Sequence, residues 1–130
     1  MRTISAAIIG IIICSIVIFI IEMIGMKLFP VQVKINPKNY NDLKALIDNI
    51  PLPALIIIIV GHGISLFVGV FVSHKIQNKS TIPFLLVFLV MLMVTISNLA
   101  MIPHPLWFMI ADIGSVCLAG LISWRVLSWK

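Results

Sequence analysis

Three ionisable side chains stand inside long apolar runs of this sequence: Glu22, His62 and Asp112. Carboxylates and an imidazole can pass protons near neutral pH, hold a cation, or bind one another as a buried pair. Asn98, in a fourth apolar run, adds a neutral hydrogen-bonding group. Depth can be counted at 1.5 Å per helical residue from the prolines that end each run (Pro30, Pro51, Pro103 and Pro105). Glu22 then lies about 12 Å in, His62 about 16 Å, Asn98 about 8 Å and Asp112 about 10 Å. Four segments place a polar residue in the same half of an apolar layer. The expectation is one buried hydrogen-bonded cluster of Glu22, His62, Asn98 and Asp112, with His104 and Trp107 at its mouth.

Other chemistries find less support. Metal ligation would be expected to show HxxxH or HExxH spacing, and neither occurs. Cys14 and Cys117 are far apart, form no CxxC and sit in apolar runs, so a disulfide framework and a common zinc site are not expected. Gly114-Ser115 is followed by Val116 and Cys117, which leaves out the GxSG elbow of a serine nucleophile. No cofactor is expected, and an intramembrane metal site or enzyme ranks behind the other readings. The stretch HKIQNK, at 74–79, is too small a basic patch for nucleic acid.

The elements that must carry these residues follow from composition. The 130 residues are 62% hydrophobic and only 10% charged, and the mean hydropathy is +1.23. Soluble domains are roughly half apolar and about a quarter charged. The class is therefore integral membrane protein. Four runs, about 4–29, 52–73, 81–102 and 106–124, are long enough to cross some 30 Å of hydrocarbon. Helices are the only solution, because open strands in lipid leave backbone groups unpaired. The first run is longer than the core of a signal peptide and lacks a small-x-small cleavage site, so an uncleaved helix is expected. The fold expected is one all-α domain over 1–130, an antiparallel four-helix transmembrane bundle.

The connections have distinct chemistry. In MIPHPLWF, 101–108, Pro103 forces Ile102 out of helical conformation and Pro105 opens the next helix, which predicts a tight hairpin. Ser80 or Thr81 can cap the third helix, with Pro83 in its first turn. The long first loop, 30–51, contains Asn36-Pro37 as a helix start. Tyr40, Leu43, Leu46, Ile47 and Ile50 follow at helical spacing, which predicts a short amphipathic helix in the membrane interface. Arg2, Lys75, Lys79, Arg125 and Lys130 lie on one side, with no acid. Lys27, Lys34, Lys38 and Lys44 lie on the other, with Asp42 and Asp48. This five-to-four bias places both termini in the cytoplasm of a bacterial inner membrane. Trp124 and Trp129 would form an interfacial belt there.

Small residues recur every four positions in two helices: Gly61, Ser65, Gly69 and Ser73, then Ala111, Ser115, Ala119 and Ser123. Such ridges let helix backbones approach closely in lipid. They exceed what one bundle needs, which suggests a homodimer beside the lipid bilayer as partners. The third helix lacks a ridge and would face more lipid.

The segments GMKLFP, NPKNYNDLKALIDNIP, GHGISLFVGVFVSHKI and NLAMIPHPLWF, following a late first-helix glutamate, resemble a family of small uncharacterised bacterial four-helix integral membrane proteins. The resemblance spans nearly the whole chain. It implies fold and location but no activity. Two functions then compete. One is a structural or accessory bundle locked by its polar cluster. The other is a proton- or cation-coupled small transporter using Glu22, His62 and Asp112, of unknown substrate.

Overall fold

The computed structural model describes residues 2–31, 36 and 38–127. Lys34, Pro37, Trp129 and Lys130, used above for orientation, the loop start and the aromatic belt, lie outside the described residues. The described chain is all helical: α1 (Arg2–Leu28), α2 (Tyr40–Asp48), α3 (Leu52–Ile76), α4 (Ile82–Met101) and α5 (Leu106–Val126). No strand occurs among the described residues. The four long helices are each long and apolar enough to cross a membrane.

The helix ends follow local chemistry. α3 begins where Pro51 adopts φ −66° and ψ 145° and Pro53 occupies the first turn. It runs past Ser73 to Ile76 because SHK contains no breaker, and ends at the extended Gln77. Ser80 Oγ accepts the Ile82 N–H at 3.2 Å, so it is Ser80 rather than Thr81 that satisfies a free donor of α4. α4 stops at Ile102, which is extended at φ −116° and ψ 130°, as its position before Pro103 requires.

α2 starts at Tyr40, later than Asn36-Pro37. Asn39 supplies the cap: its side chain accepts the Asn41 N–H at 3.0 Å. Asn36 forms the preceding turn instead, its Oδ1 accepting the Lys38 N–H at 3.1 Å. Of the expected apolar face, Ile47 is buried and Leu43, Leu46 and Ile50 are half-buried, whereas Tyr40 is exposed.

α3 is the hub. It packs most extensively on α1, and it also touches α5 and α4. The α1–α3 contact is made by small residues. A Cβ on Gly10 would stand 2.9 Å from the Gly69 carbonyl oxygen and 2.8 Å from Val87 on α4. Gly61 faces Ile18 and Ile21 of α1 in the same way. The ridge Gly61, Ser65, Gly69 and Ser73 is thus buried within the chain, largely against α1. On α5, Ala119 and Ser123 are buried, and Ala111 and Ser115 are half-buried. One apolar core joins Cys14, Leu66, Val70, Val87, Met91 and Val116. A second, around Leu55, Leu99 and Phe108, lies beneath the α4–α5 turn.

Candidate functional site

The site begins with two positions whose neighbours fix their direction. His62 stands between Gly61, which abuts α1, and Gly63, which abuts Ser115 of α5. Asp112 shares the buried side of α5 with Phe108, Val116 and Ala119, at i−4, i+4 and i+7. The two side chains meet across the α3–α5 contact, with His62 Nδ1 2.6 Å from Asp112 Oδ1. Asp112 is 1% exposed and the His62 side chain 13%. With Asp112 as carboxylate, Nδ1–H donates and the proton lies along a short charge-assisted hydrogen bond. The second carboxylate oxygen, Oδ2, is buried and accepts no hydrogen bond from the described residues.

A second polar link joins the same two helices. Ser115 Oγ donates to the Ile59 carbonyl at 2.7 Å, again from α5 to α3. Ser115 is three residues after Asp112 on α5, and Ile59 three residues before His62 on α3. The two bonds clasp the same helix pair. The four-residue spacing marks Ser115 only as a packing residue; the signal for this bond is its hydroxyl on the Asp112 stripe.

His104 caps the same end. Its backbone N–H donates to the Ile102 carbonyl at 2.8 Å, an inverse γ-turn centred on Pro103. Its ring Nδ1–H donates to the same carbonyl at 2.9 Å. The ring stacks on Phe108, centroids 4.7 Å apart and planes within 10°. Trp107, half-exposed, meets Phe108 edge-on at 5.9 Å. Burial lowers the His104 pKa below its ordinary value of 6.5. The Ile102 carbonyl and the nearby Asp112 charge act the other way, and His62 adds to the lowering.

The other two residues of the expected cluster lie elsewhere. Asn98 is exposed rather than buried. α4 buries the ridge Met91, Thr95 and Leu99, and Asn98 falls one residue off it. Glu22 is half-buried and makes no hydrogen bond or ion pair with the described residues. It lines a cavity of about 460 Å³ bounded by the end of α1, by α2 and by the start of α3. Neither His62 nor Asp112 borders that cavity. Shared depth put the four residues in one layer but did not fix their azimuths.

Among the described residues, no three His, Cys, Asp or Glu side chains converge as a metal site would require. Cys14 is buried and Cys117 half-buried, both unbridged. The chain matches no protein-family profile, no curated protein and no solved structure.

Proposed function

We propose that this is a small structural or accessory protein of the bacterial inner membrane, an antiparallel four-helix bundle locked by the His62–Asp112 pair. The observation that carries this is the placement of that pair: a 2.6 Å contact between two transmembrane-length helices, with the carboxylate almost wholly buried. A buried ion pair adds little net stability compared with good apolar packing, but it fixes which residues face one another. In an all-apolar bundle that can slide or rotate, register is what a polar pair supplies.

In this proposal both termini lie in the cytoplasm and α2 in the outer interface; the five-to-four charge bias supports that orientation. A homodimer belongs to the same proposal. Its face would be the open groove of about 320 Å³ along α3 and α5, where Gly63 and Ala119 lie, because the Gly61–Ser73 ridge is used within the chain. The transport alternative draws support from the cavity at Glu22. It is the weaker reading, because His62 and Asp112 do not open onto that cavity.

The experiment is a double-mutant cycle on thermal unfolding in mild detergent, using His62→Ala, Asp112→Ala and the double variant. Each single change destabilises by more than half of what the double does, with a coupling of about 1–2 kcal/mol. Strictly additive losses would remove the lock. A proton flux in liposomes that His62→Ala abolishes would favour transport instead.

A further inference from the structure

We infer that the cavity between α1, α2 and α3 is a binding site for an amphiphilic organic cation, with Glu22 as its counter-ion. The volume, about 460 Å³, falls within the range of small-molecule sites, roughly 300–1,000 Å³. The walls are apolar: Met26 from the end of α1 with Phe29 just beyond it, Leu46 from α2, Ile50 from the turn between α2 and α3, and Ile58 from α3. Among the lining residues Glu22 alone carries a charge or a side-chain hydrogen-bonding group.

That combination selects a ligand class. An anion would meet the carboxylate with like charge. A neutral lipophile would fill the walls but take water from the carboxylate and return nothing, which disfavours it. An ammonium on an apolar body satisfies both features together. The chain offers no described counter-ion of its own: Glu22 has no ion-pair partner among the described residues. Lys27, five residues on, points about 140° away around the helix and is exposed. Phe29 is the one aromatic wall, and an aromatic face attracts a cation.

α2 has a role in this site. It turns Leu46 to the cavity, joined by Ile50 of the turn that follows, while Asn41, Lys44 and Asp48 stay exposed. Through Leu46 it contributes one wall of the cavity. The site is separate from the His62–Asp112 pair and does not depend on it.

The test uses the full chain in nanodiscs of zwitterionic lipid. The probe is a fluorescent alkyltrimethylammonium, compared with its uncharged tert-butyl isostere. The wild type binds the cation at least about tenfold more tightly than the isostere, equivalent to ~1.4 kcal/mol. Glu22→Gln, near-isosteric and checked for monodispersity, loses that preference. Ile50→Trp, which fills the cavity from the turn after α2 and leaves Glu22 in place, weakens both probes. Equal binding of the two probes by wild type, or cation binding unchanged in either variant, overturns the site. Should Glu22→Gln fail to fold, Ile50→Trp and the wild-type preference decide. None of these outcomes alters the result of the double-mutant cycle on His62 and Asp112.

Discussion

Gly69 on α3 and Gly10 on α1 touch backbone to backbone: a Cβ added to Gly69 would lie 2.5 Å from the Gly10 carbonyl oxygen and would collide with Cys14 Sγ. Carbonyl oxygens of a helix cannot move aside as a side-chain end can, so the two helices must separate to admit even a methyl group. Gly69→Ala is expected to destabilise the protein by about 1–3 kcal/mol through overpacking. Gly114 provides the contrast, since nothing lies within 4 Å of its added Cβ. Gly114→Ala should fall within about 0.5 kcal/mol of wild type. Thermal midpoints in mild detergent measure both, and equal effects would contradict the close approach.

The α3–α5 clasp yields a second prediction. A methyl group on Gly63 would stand 2.7 Å from Ser115 Oγ, the hydroxyl that donates to the Ile59 carbonyl. Ser115→Ala alone should cost about 0.6 kcal/mol, the usual worth of an interhelical hydrogen bond in a membrane protein. Gly63→Ala should cost more, because it displaces that hydroxyl. The combined variant should be less destabilised than the sum, since the methyl then meets no oxygen. Strict additivity in the unfolding midpoints would show that the two positions do not compete for the same space.

The helices were legible because length, apolarity and prolines are local signals. Pro51, Pro53, Pro103 and Pro105 fixed the ends of α3, α4 and α5 to within a few residues. The small-residue ridge on α3 was legible as a packing face, since i, i+4 spacing decides which residues share a side. What the spacing could not supply was the partner. The ridge on α3 lies against α1, and excess small residues alone could not distinguish that from a contact between chains. The polar cluster shows the same limit. Asp112 shares the stripe of Val116 and Ala119, so it points inward to His62. Asn98 sits next to the buried Leu99 and is turned outward. One residue of register, about 100° on a helix, separates a buried partner from an exposed one.

Membrane orientation gives a third prediction. Cysteines placed singly at positions 40 and 78, in a chain whose Cys14 and Cys117 are replaced, report which side each connection occupies. Tyr40 and Asn78 are both exposed, so a reagent can reach them. With cytoplasmic termini, a membrane-impermeant maleimide added to intact cells labels position 40, and labels position 78 only after permeabilisation. Labelling of position 78 in intact cells would reverse the topology.

The histidine between Pro103 and Pro105 sets the pH dependence. His104 is held neutral by burial, its pKa pushed below the ordinary 6.5, although the Ile102 carbonyl and the Asp112 charge pull upward and His62 pushes down. In the unfolded chain the same ring takes a proton near 6.5. Between the folded value and 6.5 the unfolded state therefore binds more protons, and stability rises with pH. The contribution is fully present above 6.5 and is lost as pH falls from there towards the folded value. His104→Gln can still donate to the Ile102 carbonyl but does not titrate. The thermal midpoint of the wild type should therefore drop more steeply on acidification below pH 6.5 than that of His104→Gln. The other two histidines, His62 and His74, are common to both proteins and cancel in the comparison. Parallel midpoint curves for the two proteins would show that the ring at this turn takes up its proton as readily folded as unfolded, and that the stacked, doubly bonded geometry at Ile102 and Phe108 does not shield it.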